Sequence, residues 1–231
     1  LRYYETTKLF YNKYLYKLNF SNELNTIFRT EFQKDGRLSL ARQKLDELRL
    51  FHREGLPMEI PIWRTVKKIR EEDYIEARHL YATLLRTKED YRIRVESWGG
   101  ITVFANSEEL LNKIAKGISN RRRLEFYRPD PNVINEIKPN IIISPNPVEW
   151  PIKVTLGCNI RNYSSFAKWA ENNPDKVRIG KKALESLHSH GFVDGYYFFV
   201  KTEKVLSIIN IIIGDNIRRI DHVVYKSNID K

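Results

Sequence analysis

One cysteine, Cys158, stands in 231 residues. Such a chain has no intramolecular disulfide framework and no cysteine cluster for a structural zinc, which suits a reducing compartment or a fold that needs no staple. Long apolar runs are missing as well. A membrane span needs about 18 to 20 apolar residues in succession, and the densest run here, Val205 to Ile213, is broken by Ser207 and Asn210. Leu1 to Thr7 holds neither an apolar signal core nor an amphipathic Arg/Ser transit pattern. The lack of an initiating Met leaves the native start open. No internal repeat and no low-complexity tract is found. These absences predict an intracellular protein, cytoplasmic or virion-associated, with no membrane partner.

Positive charge and aromatic surface are plentiful. Forty Lys and Arg against 29 Asp and Glu give a net charge of +11, which favours an acidic partner such as nucleic acid. The excess is shared by residues 1–89 and 90–231, so there is no detachable basic tail. Aromatic residues make up 12% of the chain, enough to fill a core and leave rings for stacking or interface work. The plainer reading of the charge is a solubilising surface. The frequent Lys, Asn, Ile, Tyr and Phe suit an AT-rich coding genome, as in many phages and other viruses.

Hydrophobic periodicity organises the chain. Lys8 to Phe20 alternates and predicts a strand. Leu38 to Glu54 and Glu72 to Arg86 repeat every three or four residues and predict helices, joined by a connector over Leu56 to Pro61 and an ambiguous stretch from Arg64 to Arg70. Tyr91 to Glu96 and Ile101 to Phe104 flank Trp98-Gly99-Gly100 and predict a hairpin. Asn106 to Glu109 caps a helix that reaches Ile118, followed by a strand at Leu124 to Tyr127. A Pro- and Asn-rich stretch from Asp130 to Pro151 reads as loop. After it come a strand at Trp150 to Leu156 and helices at Ser164 to Asn172 and Lys181 to His190. Three strands are expected at the end, Val193 to Lys201, Val205 to Ile213 and Asn216 to Lys226. The middle one is assigned to a strand rather than a helix on its β-branched content.

The fold class expected is therefore α+β: a helical N-terminal part followed by a mainly antiparallel sheet that ends in a three-stranded meander. The expected division is a mainly helical part with an N-terminal strand over residues 1–89 and a sheet-containing part over residues 90–231, two domains or one continuous one.

Candidate chemistry is sparse. His188-Ser189-His190 is similar to the metal-binding His-x-His unit of rolling-circle nucleases, but it closes a predicted helix, where neighbouring side chains point apart and imidazoles complement the helix dipole. Asp130 with Glu136-Ile137-Lys138 matches the Asp plus Glu-x-Lys set of metal-dependent nucleases, at a spacing too short for two strands and a turn; a solvated loop is the plainer reading. Gly180-Lys181-Lys182 lacks the rest of a P-loop, and Cys158 has no local partner signature for a nucleophile, a lone buried thiol being the common case. No cofactor is expected.

Asp194 to Val200 (DGYYFFV) resembles the aromatic strand of RNA-recognition folds, in which exposed rings stack on bases. It departs from that pattern at the leading basic residue, at the small residue and after the second aromatic. Alternation places Tyr196 and Phe198 on one face and Tyr197 and Phe199 on the other, so at least one pair belongs to the core. The foremost electrostatic candidates are Arg121, Arg122 and Arg123 with Tyr127 and Arg128, then Trp63, Arg64, Lys67, Lys68 and Arg70. Guanidinium groups bind phosphate bidentately and neighbouring rings stack on unpaired bases. An exposed charged turn is the rival reading for both.

The leading expectation is a non-enzymatic, basic nucleic-acid-binding accessory protein whose DNA or RNA preference is open. The alternative is a structural or assembly protein that meets a protein partner or a second copy through aromatic and β-strand surfaces. A metal-dependent nuclease comes third.

Overall fold

The computed structural model describes residues 1–29, 38–62, 65–97, 99–119, 124–158, 163–214 and 216–228. Leu1–Thr6 and Lys13–Asp130 form one compact unit, and Thr7–Asn12 with Pro131–Lys231 form a second. Both are α+β. Position 89/90 falls inside the first unit.

In chain order the first unit holds β1 (Arg2–Thr6), β2 (Tyr16–Ser21), α1 (Ser39–Arg53), β3 (Glu59–Ile62), β4 (Thr65–Lys68), α2 (Glu71–Arg86), β5 (Tyr91–Val95), β6 (Gly100–Ala105), α3 (Glu108–Lys116) and β7 (Glu125–Pro129). Its five-stranded sheet has the order β1-β7-β2-β6-β5, while β3 and β4 pair separately as a hairpin. Alternation along the strands sends Leu18, Phe20, Ile93, Ile101, Val103 and Phe126 to one face. There they meet the helical stripes of α1, α2 and α3, including Leu45, Leu48, Leu80, Leu84, Leu111 and Ile114. Ser107 starts α3 by accepting a hydrogen bond from the Leu110 N–H on its Oγ at 3.1 Å. Gly99, at φ +85°, supplies the left-handed position that lets β5 turn into β6.

The second unit holds β8 (Ile141–Ser144), β9 (Ile152–Leu156), α4 (Tyr163–Glu171), β10 (Val177–Ile179), α5 (Lys181–His188), β11 (Tyr197–Val200), α6 (Glu203–Ile213) and β12 (Ile217–Tyr225). Its sheet order is β10-β11-β9-β12-β8. Ile152, Val154, Leu156, Phe198 and Val200 pack against Phe166 and Ala170 of α4 and Leu206, Ile209 and Ile213 of α6.

The two units repeat one topology. In the first, β2, a helical crossover, β5, β6, α3 and β7 give the antiparallel order β7-β2-β6-β5. In the second, β9, α4, β10, β11, α6 and β12 give β12-β9-β11-β10, again antiparallel. Each has the last strand beside the first and the first beside the third, the split β-α-β arrangement of ferredoxin-like folds. In each, a leading strand joins the last strand in parallel, β1 on β7 and β8 on β12. The first unit expands its opening crossover with α1, the β3-β4 hairpin and α2. The second inserts α5 between β10 and β11. The sequence shows no matching repeat, because a shared topology constrains the hydrophobic pattern and not residue identity.

Several expectations are corrected. Val205 to Ile213 is the helix α6, so the chain does not end in a three-stranded meander. Thr202 caps it, its Oγ1 accepting from the Val205 N–H at 3.3 Å, and Gly214 at φ +63° stops it. Val205, Leu206, Ile209 and Ile213 then share the buried side, and that burial overrides the β-branched preference. Residues 1–89 are less helical than expected, because they also contribute β1 to β4. Lys8 to Phe20 is not one strand: Tyr11 and Asn12 take φ of 53° and 56°, and regular pairing begins at Tyr16. The stretches read as connector and as helix or loop form the β3-β4 hairpin, and Ile141 to Ile143, read within a loop, begins β8.

Candidate nucleic-acid interface

Helices cover one face of each sheet, so the strand residues of opposite parity define what the other face offers. In the second unit these are Lys153 and Thr155 on β9, Tyr197 and Phe199 on β11, Arg178 on β10 and Arg219 and Asp221 on β12. Their register pairs, Phe199 with Lys153, Arg178 with Phe199, Tyr197 with Thr155 and Asp221 with Lys153, place them on one side. The aromatic alternation of β11 is thereby resolved. Phe198 is fully buried, its ring 5.0 Å from that of Phe166, whereas Tyr197 is 48% exposed. Phe199 is half-buried and meets the Tyr197 ring edge-on, with centroids 5.6 Å apart at 85°.

The charges around these rings are only partly compensated. Lys153 Nζ lies 4.0 Å from the centre of the Tyr197 ring, close enough for a cation–π contact. Burial, followed by repulsion from Lys8, lowers the pKa of this ammonium; Asp221 opposes the shift and Arg219 adds to it. Arg219 Nε donates to the buried Asp221 carboxylate at 2.8 Å, which settles one of the cations. Arg178 is exposed and has no ion pair among the described residues. The result is a patch with one half-exposed ring, a second ring at right angles to it and a surplus of cations.

The corresponding face of the first unit is closed on itself. Lys17 Nζ sits 3.4 Å from the centre of the Tyr127 ring, and the Tyr4 ring stacks on Tyr127 at 4.7 Å and 20°. Those two groups would overlap on a single side, so together they take both faces of Tyr127. The Tyr127 hydroxyl donates to Glu125 Oε2 at 3.1 Å, and Asn19 Nδ2 donates to the same oxygen at 3.1 Å. Thr102 Oγ1 extends the chain by donating to Asn19 Oδ1 at 3.3 Å. Burial first, then the bond to the Glu125 carboxylate and its charge, push the Tyr127 phenol up to about 12.

The residues named from sequence are dispersed. Trp63, Arg64 and Arg121 to Arg123 lie outside the described residues. Tyr127 and Arg128 are neighbours on β7 and face opposite ways: Arg128 lies against Tyr3, its guanidinium carbon 5.3 Å from that ring centre, on the side of Phe126. Arg70 is committed to Asp73 at 2.7 Å, and Lys67 and Arg70 both stand 3.9 Å from Glu23. Lys68 is exposed. His188 turns to Glu171 at 3.0 Å and His190 to Ser164 at 3.1 Å, so they do not converge on one point. Among the described residues no group of three His, Cys, Asp or Glu is placed to hold a metal ion. Cys158 is exposed rather than buried.

Sequence reasoning weighed Tyr197 and Phe199 but missed Lys153, Arg178 and Arg219. The signal for Lys153 was the alternation Ile152-Lys153-Val154-Thr155-Leu156, whose polar side faces the same way as the exposed rings. Among the described residues no helix is long and apolar enough to cross a membrane. No family model, curated protein or solved structure matches the chain.

Proposed function

We propose that the protein binds single-stranded nucleic acid on the helix-free face of its second sheet, as a binding protein rather than an enzyme. The carrying observation is the exposed Tyr197 ring beside Lys153 and Phe199, on a β strand whose other side is core. Every unpaired base has a π face for Tyr197, and a duplex has none to give except at its ends. Lys153 and Arg178 supply cations for the sugar-phosphate chain that runs past the stacked base. The net charge of +11 steers such a ligand towards the protein.

Fluorescence anisotropy with labelled oligo-dT, oligo-U and a duplex of equal length tests this. Both single strands are expected to bind more tightly than the duplex. Tyr197→Ala should weaken single-strand binding by about 5- to 150-fold, the loss of one base-aromatic stack. Arg178→Gln should flatten the dependence of log affinity on log salt by about 0.7, one phosphate contact on a single strand. Equal affinity for duplex and single strand, or no loss in Tyr197→Ala, would overturn the assignment.

A further inference from the structure

We propose that the groove between α2 and α3 of the first unit binds a small phosphate ester. This site shares no residue with the sheet face of the second unit and does not depend on its function. The groove is half open and has a volume of about 710 Å³, within the range of about 300 to 1,000 Å³ common for small-molecule sites. One stripe of each helix builds it: His79, Ala82 and Arg86 at helical spacing on α2, and Leu110, Lys113 and Lys116 on α3.

Its chemistry is an apolar floor under a cationic rim. Ala82 is half-buried, and Leu110, 4% exposed, closes the groove beneath it. Arg86, Lys88 and Lys116 are exposed and make no ion pair among the described residues, whereas Lys113 is tied to Glu109 at 2.8 Å. Glu89 is the one acid among the described residues that line the groove. Three exposed cations without an ion pair among the described residues stand around one concavity; although Lys116 also feels the Glu109 carboxylate, the set suits a phosphate dianion, which Arg86 can grip with two parallel N–H bonds.

One wall is fixed by close packing. His79 Nε2 donates to the Lys113 carbonyl at 2.8 Å and so bridges the two helices. The ring lies so near Gly117 that a Cβ there would come within 2.0 Å of His79 Cδ2. Only glycine leaves room for that bridge. Cations in the last turns of α2 and α3 also complement the helix dipoles; that role alone predicts a stability effect and no ligand.

Isothermal titration of the full chain with adenosine 5′-monophosphate, inorganic pyrophosphate and adenosine separates these readings. The nucleotide and pyrophosphate are expected to bind, and adenosine at least about tenfold more weakly. The double variant Arg86→Gln/Lys116→Gln should lose at least about tenfold in nucleotide affinity, the scale of two charge-assisted bonds. Tyr197→Ala should leave that affinity unchanged. Gly117→Ala, which displaces His79 without removing a charge, should weaken it as well. Absence of heat with both phosphate probes would overturn the proposal, as would an unaltered affinity in the charge variant. Displacement of the nucleotide by a single-stranded oligonucleotide in the Tyr197→Ala background would also overturn it and give the groove to nucleic acid.

Discussion

The two units solve the same architectural problem and treat the uncovered side of the sheet in opposite ways. The first fills it from within: Lys17 and Tyr4 enclose Tyr127, and Thr102, Asn19 and Glu125 answer one another's hydrogen bonds. The second leaves Tyr197 open, with Lys153 against it and Arg178 unpaired among the described residues. A common topology therefore says where a ligand surface would be and nothing about whether one is present. The side chains at a few alternate positions decide that.

The sharpest way to break the contrast is within β11. Phe198→Ala removes a fully buried ring from the second core and should destabilise the protein by about 3 to 5 kcal/mol. Tyr197→Ala, one residue away on the exposed side, should cost about 1 kcal/mol or less. Urea unfolding of both variants checks this; equal losses would mean that the two sides of β11 are wrongly assigned.

A second test reads the closed face of the first unit through Tyr127. Its folded pKa of about 12 lies above the ordinary phenol value of 10.0, so the folded state holds its proton where the unfolded state has lost it. The stability this provides is complete below pH 10 and is lost as the pH rises towards 12. Absorbance at 295 nm should show a tyrosine that titrates near 12 in the wild type and is missing in Tyr127→Phe. Amplitude missing near pH 10 instead of near 12 in Tyr127→Phe would show the ring to be open to water.

The smallest effect should be on ligand affinity. Tyr127→Ala should change oligonucleotide binding by no more than about twofold, because no base can reach a ring whose two faces are occupied. A loss as large as that of Tyr197→Ala would erase the difference between the units.

Much of the α+β character was legible in the sequence, and the reasons are local. The stripes of α1, α2 and α3 are spaced by three or four residues, and the β5-β6 hairpin announces itself through strict alternation around Gly99. What misled was locally ambiguous. The Ile- and Val-rich α6 takes its helical state from the core it covers, and Thr202 and Gly214 were the available signals for its ends. In the β3-β4 ribbon each strand is an edge, where the missing N–H of Pro61 is tolerated, so proline there did not mean loop. The candidate interface was half legible. Alternation divided the four aromatic residues of β11 into two pairs, and only the packing of Phe198 on Phe166 determined which pair was left outside.

The path of the chain through the units bears on how the molecule is made. Residues 2–6 pair with 125–129, and Lys8 bridges Ile142, so these segments find their partners far along the chain rather than next to them. Closure of such distant pairs is slow compared with a local hairpin. The same threading means that a cut after Asp130 would not free two whole modules: residues 7–12 would stay with the wrong piece, and a fragment starting at Pro131 would lack the bond from Ile143 N–H to the Thr7 carbonyl at 3.0 Å. The boundary between the two units therefore does not coincide with any single point along the sequence.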